Sequence, residues 1–192
     1  MEDLPAVGHS DSPPLFTGRN VRSYKTVSLH RQVIGLVSSE KKSAEAADAV
    51  GTSSAIRKEI VDALNQDLAR EYKAVVQYVV FSASLKGAAY GDIADQLKAH
   101  ASQELSHALK LARQIDYLGG SPTVKMEPAK TSDDSKKMLE IDLQAEQDTI
   151  KNYRERIRQA ERAGEFALSE TLREIIVEEQ DHEIDLRDAL GL

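Results

Sequence analysis

Four long stretches of this chain each carry a glutamate on the very stripe of residues that a helix would have to bury. In 55–86 the stripe runs Leu64, Leu68, Glu71, Val75, Tyr78, Ser82, and in 91–118 it runs Ile93, Leu97, His100, Glu104, His107, Leu111, Leu118. In 132–162 it runs Leu139, Leu143, Glu146, Ile150, Tyr153, Ile157, and in 165–190 it runs Leu168, Leu172, Ile175, Glu179, His182, Leu186. Steps of three and four residues mark one face of a helix packed in a bundle. A lone carboxylate in such a seam costs several kcal/mol even after relaxation, and four near one level repel one another. Positive charge must sit between them, or the four stretches cannot share a core.

The stretches themselves read as helices. No proline falls between Pro14 and Pro122 or after Pro128, and Ala, Leu, Glu, Lys and Gln, all good helix formers, dominate after Thr52. Turn signals at Gly87–Gly91, Gly119-Gly120-Ser121-Pro122 and Gly164 separate them. Thr131-Ser132-Asp133-Asp134 supplies a cap and early acids for the third. Each is about 30 residues, or about 40 Å at the helical rise. The first and third connections are short enough to join antiparallel neighbours. The middle one, 119–131, can span about 40 Å when extended, enough to start the next helix at the opposite end. The pattern predicts an all-α, antiparallel four-helix bundle over 52–192 with one long crossover connection.

Residues 1–51 have a different character. Pro5, Gly8, Pro13, Pro14, Gly18 and scattered serines interrupt any period, so this part is expected to be a largely irregular extension. Six bases (Arg19, Arg22, Lys25, Arg31, Lys41, Lys42) face one acid, Glu40, between Arg19 and Lys42. Such a segment offers DNA a modest, salt-sensitive contact, but the whole chain carries 32 acids against 25 bases, so packing of the extension on other protein surface is the favoured reading. His9 and His30 lie in this extension and are expected to be solvated. The absence of cysteine excludes disulfides, thiolate zinc sites, cysteine nucleophiles and cysteine-ligated clusters. With no basic start followed by an apolar run at Met1–Ser10 and no long apolar span, a cytoplasmic location is expected.

The ligand order sharpens the site. It runs Glu71, Glu104-x-x-His107, Glu146, Glu179-x-x-His182, and the step from Glu71 to Glu104 is 33 residues, as is the step from Glu146 to Glu179. Tyr78 follows Glu71 by seven, and Tyr153 follows Glu146 by seven. The chain is thus two helix pairs of matching internal geometry. In each Glu-x-x-His the i,i+3 spacing sets carboxylate and imidazole on one face, one turn apart. Two divalent or trivalent ions would neutralise the four carboxylates, with one neutral nitrogen each. The plainer alternative, surface charge on ordinary amphipathic helices, suits any one of these glutamates in a chain with 30% charged residues. It does not suit six such residues repeated at equal spacing on apolar stripes.

This pattern over Ser53–Leu190 resembles the ferritin-like superfamily, and within it the bacterioferritin type of di-iron site. The resemblance implies a ferritin-like bundle in which Glu71 and His107, with Glu146 and His182, are the terminal ligands, and Glu104 and Glu179 bridge. These six would be both the metal-binding and the catalytic groups. The implied activity is that of a ferroxidase, oxidising Fe(II) with oxygen or hydrogen peroxide at two irons per subunit and storing Fe(III) mineral in a hollow homo-oligomer. Bacterioferritins take haem through a methionine just after the first bridging glutamate; Leu105 stands there, so no haem is expected. The chain stops ten residues past His182, without the family's fifth helix, which brings it closer in size to the Dps-like cages. The His/Asp/Glu set that Dps proteins place between subunits is not evident. The composite expectation is a Dps-like dodecamer carrying a bacterioferritin-type site within each subunit.

Around the six, the family often has an acid just before each bridging glutamate to accept from an imidazole; Glu178 fits that role, Gln103 departs from it and offers only its amide oxygen, and the two metals are therefore expected to be unequal. Tyr78 falls where the family keeps a tyrosine beside the irons. Tyr78 and Tyr153 are either partners of a ligand or ordinary core tyrosines. His100, one heptad before His107, is favoured as a satisfied interior histidine over a transient iron site on the way in. Competing functions are a peroxide-scavenging di-metal protein, rubrerythrin-like or manganese catalase-like, and a nucleoid-binding or purely structural cage with a vestigial site.

Overall fold

The structure, a computed structural model, describes the backbone of residues 29–192 and the side chains of residues 54–192. The chain divides into two units, Met1–Glu45 and Ala46–Leu192, and the second holds the site. Helix α1 spans Leu29–Ser84, α2 Gly91–Tyr117, α3 Ser135–Arg162 and α4 Phe166–Leu190, with a short 3-10 turn at Ala88–Tyr90. No strand occurs among the described residues, and no described helix is long and apolar enough to cross a membrane. The last three helices agree with the expected segments to within a few residues. The first begins at Leu29 rather than near 55. No proline stands between Pro14 and Pro122, and Ser38–Ala49 is rich in Ala, Glu and Lys, so nothing halts a helix running back through Gly51 and Gly35. The side chains of the basic segment Arg19–Lys42, with His9 and His30, lie outside the described residues.

Two apolar cores are stacked along the bundle. One joins Ile60, Val61, Leu64 and Leu68 of α1 to Leu111 and Ile115 of α2, Ile157 of α3 and Leu168, Leu172 and Ile175 of α4. The other joins Tyr78 and Phe81 to Leu97, Leu139, Leu143 and Leu186. The order in which each helix meets the two cores fixes the topology. Helices α1 and α4 run from the first core to the second, while α2 and α3 run from the second to the first. Parallel α2 and α3 demand the long connection at 118–134. It lies along α1: Thr123 N donates to Asn65 Oδ1 at 2.7 Å, Glu127 N to the Ala69 carbonyl at 3.1 Å and Lys130 N to Gln77 Oε1 at 3.0 Å. At its start Gly120 approaches α1 so closely that an added Cβ would sit 2.4 Å from Val61 Cγ1. At its end Asp134 caps α3 by accepting from Lys137 N at 2.7 Å.

Two buried aspartates sit on the core face one turn before the terminal glutamates, Asp67 before Glu71 and Asp142 before Glu146. They are treated differently. Asp67 is neutralised by Arg156, whose Nε lies 2.7 Å from Oδ2, and by Arg70 on its other oxygen. Asp142 has only the Gln77 amide, 2.7 Å from Oδ1, and its Oδ2 is buried without a partner. Burial pushes the Asp142 carboxyl up to about 7, against the opposing pull of the Gln77 hydrogen bond and the Lys73 charge. Below the unfolded value of about 3.9 both states hold the proton and folding loses nothing. As pH rises toward 7 the unfolded chain gives up its proton before the folded one, and stability falls. Asp142→Asn removes this penalty. Urea unfolding of the metal-free protein should show the variant gaining on the wild type by a few kcal/mol between about pH 4 and pH 8.

Candidate metal centre

Between the two cores lies a polar layer closed to solvent. Glu71, Glu104, His107, Glu146, Glu179 and His182 are each no more than 3% exposed. Each comes from the stripe that also supplies the leucines above and below it, so the packing that buries the leucines buries these too. Their ligating atoms form two overlapping groups, Glu71–Glu104–His107–Glu179 and Glu104–Glu146–Glu179–His182, each with its donor atoms within 4.8 Å of one another. Glu104 and Glu179 belong to both. The structure thus brings together all six residues singled out in the sequence, and it sets the two glutamates of the Glu-x-x-His motifs between the pairs.

Both imidazoles turn Nδ1 inward. His107 Nδ1 lies 3.2 Å from Glu104 Oε2, 3.2 Å from Glu179 Oε1 and 3.6 Å from Glu71 Oε2. His182 Nδ1 lies 3.1 Å from Glu104 Oε1 and 3.5 Å from Glu179 Oε2. Several of these atoms are close without being hydrogen-bonded. Glu71 Oε2, Glu104 Oε1, both Glu179 oxygens and His182 Nδ1 are buried with no properly aligned partner. Buried polar atoms in folded proteins are otherwise almost always paired. Five lone-pair donors aimed at one small space cannot satisfy one another, and cations held among them would satisfy all five. The donor set, hard carboxylate oxygen with one imidazole per group, suits iron or manganese.

The charge balance without metal is held by protons. Burial and then the neighbouring Glu179 charge push the Glu104 and Glu146 carboxyls well above the usual range. Burial opposes charge on His107, yet the carboxylates of Glu104, Glu179 and Glu71 facing its Nδ1 outweigh that and raise it. Burial would likewise lift Glu179, but the imidazoles of His107 and His182 beside its two oxygens bring it down to about 2.

Each terminal glutamate is held by a tyrosine from the other half of the chain. Tyr78 donates its hydroxyl to Glu146, and Tyr153 donates to Glu71. Both rings also pack in the cores. Burial raises both phenols well above 10, so each stays a donor. On the outer side of the imidazoles, His107 Nε2 lies 3.3 Å from Glu178 Oε2 and His182 Nε2 lies 2.9 Å from Gln103 Oε1. His100 is buried, stacks on His182 with ring centres 4.1 Å apart, and meets Asp185 Oδ2 through Nε2 at 3.1 Å. Burial, and next the His182 charge, lower it to about 4, so at neutral pH Nε2–H donates to Asp185 and Nδ1 is a bare, unpartnered lone pair. Sequence reasoning did not single out Asp67, Gln77, Asp142 or Arg156, all buried near this layer. A signal existed: Asp67 and Asp142 are 75 residues apart, as are Glu71 and Glu146.

Comparison with known proteins agrees with this arrangement. Residues 61–192 match the family model described as a ferritin-like domain. A bacterioferritin of Desulfovibrio desulfuricans is 31% identical over 124 residues, 64% of this chain and 69% of that protein. A ferritin-like, diiron-carboxylate protein from Bacillus anthracis superposes with a TM-score of 0.68 at 35% identity, covering 70% of this chain and 97% of the other. A dodecameric thioferritin, the bacterioferritin-related protein from Bacteroides fragilis, does so with a TM-score of 0.66 at 28% identity, covering 70% and 86%.

The tyrosine–glutamate contacts make a direct prediction. Tyr153→Phe leaves Glu71 without its one hydrogen bond inside a closed layer, so metal-free protein should lose about 1–3 kcal/mol of stability by chemical unfolding. Tyr117→Phe, at a 72% exposed position, should change nothing measurable.

Proposed function

The chain belongs to the ferritin-like family, and from that premise we propose that it is a ferroxidase that takes Fe(II) as substrate at the six-residue centre and stores the oxidised iron. The observation that carries the reading is the pair of overlapping donor groups sharing Glu104 and Glu179. Four carboxylates offer four negative charges, which two Fe(II) ions cancel. Two ferrous ions held side by side supply two electrons at once to one oxidant, oxygen or hydrogen peroxide, without single-electron release of hydroxyl radical.

The protein's own groups do the rest. Glu71 and His107 hold one position, Glu146 and His182 the other, and Glu104 and Glu179 set the spacing between them. Carboxylates change between one-oxygen and two-oxygen contact without moving the backbone, which accommodates the growth in charge from Fe(II) to Fe(III). Tyr153 and Tyr78 hold one oxygen of Glu71 and Glu146 in place, leaving the other free to bind. The apolar cores above and below exclude bulk water from the layer.

In this reading the product is kept as mineral inside a hollow assembly of identical subunits in the cytoplasm. The dodecamer is favoured because the similar Bacteroides fragilis protein forms one. Leu105, 51% exposed on the outer side of α2, offers no axial ligand, so the reading includes no haem. The peroxide-scavenging alternative draws on the same ligands and is distinguished by metal content and by oxygen release from peroxide. DNA contact through Arg19–Lys42 is not part of the proposal.

The test is stopped-flow oxidation of Fe(II) by the assembled protein. Loss of residues that merely partner metal ligands already costs about 10–100-fold in affinity or activity. Glu71→Ala combined with Glu146→Ala should therefore slow rapid oxidation by more than about 100-fold, with particle mass unchanged by light scattering. Oxidation at the wild-type rate in this double variant would remove the assignment.

A further inference from the structure

The two halves of the centre are related by a shift of 75 residues that carries Glu71 to Glu146, Glu104 to Glu179 and His107 to His182. The same shift carries Gln103 to Glu178, and there the likeness ends. His107 Nε2 faces a carboxylate oxygen of Glu178 at 3.3 Å, whereas His182 Nε2 faces the amide oxygen of Gln103 at 2.9 Å. When Nδ1 of each ring gives its lone pair to a cation, Nε2 must carry the hydrogen and donate it outward. A ring that donates to a carboxylate keeps more electron density on its inner nitrogen than one that donates to a neutral amide, and it grips a cation more tightly. The other oxygen of Glu178 lies 3.6 Å from Lys110 Nζ. Gln103 carries no charge to lend.

We infer that the centre loads its two cations in a set order: the position of Glu71 and His107 fills first, that of Glu146 and His182 second, with Glu178 and Gln103 as the positioning residues that set this order. The inference rests on the ferroxidase reading above and deepens it. Repulsion between two cations about 4 Å apart, the usual spacing of paired metal sites, would by itself weaken a second step. It cannot choose which position comes first, because repulsion is mutual. Only a difference between the halves can choose, and the acceptor on the outer imidazole nitrogen is such a difference at the ligands themselves. Functionally, a first ion held firmly and a second held loosely makes the second step the one that responds to iron supply.

The experiment uses the full-length, assembled, metal-free protein without oxygen. One equivalent of Co(II) per chain is added, and anomalous diffraction at the cobalt edge reads the occupancy of the position beside His107 against that beside His182. The expected result is cobalt mainly beside His107. Exchanging the acceptors, Gln103→Glu with Glu178→Gln, should reverse the preference, and Gln103→Glu alone should bring the two stepwise affinities closer by about tenfold in a titration followed by cobalt absorption. Equal filling in the wild type, or an order the exchange leaves unchanged, overturns the inference. If the exchanged variant does not assemble, the wild-type occupancies and the single variant still decide. Cobalt at neither position defeats the ferroxidase reading as well, an outcome distinct from two positions filled alike.

Discussion

Everything in this bundle depends on burying four carboxylates in one layer. Their mutual repulsion and desolvation work against folding, and the leucine-rich cores on either side must outweigh that cost. In the metal-free protein the shifts run in the direction that eases this repulsion: burial and neighbouring charge push Glu104 and Glu146 toward holding their protons, the flanking imidazoles favour charge on Glu179, and the surrounding glutamates favour charge on His107. A layer of this kind is stable enough to exist and poor enough in hydrogen bonds to favour cations. The orphaned oxygens of Glu71, Glu104 and Glu179 are the physical form of that bias.

The same layer explains why the connection between α2 and α3 is long. Each helix pair contributes one glutamate from its first helix and a Glu-x-x-His from its second. For the two pairs to place these at one level and face one another, the second pair must begin at the end of the bundle where α1 finishes. The crossover carries the chain there along α1, and the backbone bonds to Asn65, Ala69 and Gln77 tie it to the helix that bears Glu71. Position of the site and topology of the fold are one requirement.

How much of this is legible beforehand follows from what sequence periodicity measures. The stripes name every one of the six residues in the layer, because a glutamate among leucines at helical spacing is visible without coordinates. The bridging roles of Glu104 and Glu179 come from the resemblance; in the structure both belong to each of the two donor groups. The start of α1 at Leu29 is not legible, since helix-forming residues before Thr52 carry no clear stripe to separate them from a solvated extension. By its sequence position Tyr153 is the more ordinary of the two tyrosines, yet it holds Glu71 as Tyr78 holds Glu146. Hydroxyl direction depends on which helix stands opposite, and that is a tertiary fact. Asp67 and Asp142 escape for a related reason. Each adjoins a stripe leucine, Leu68 and Leu143, so the pattern reads complete without them.

The internal repeat also shows where the halves have parted. A shift of 75 residues preserves the six residues of the layer and both tyrosines, yet it pairs Asp67, held by Arg156, with Asp142, held by an amide alone. It pairs Glu178 with Gln103 in the same way. In each of these pairs one half keeps a charged group and the other a neutral one. A symmetric site needs only the residues that would hold the cations, and those are the ones kept alike. The partners one bond further out are free to differ, and by differing they make two equivalent positions unequal without disturbing the geometry that both share.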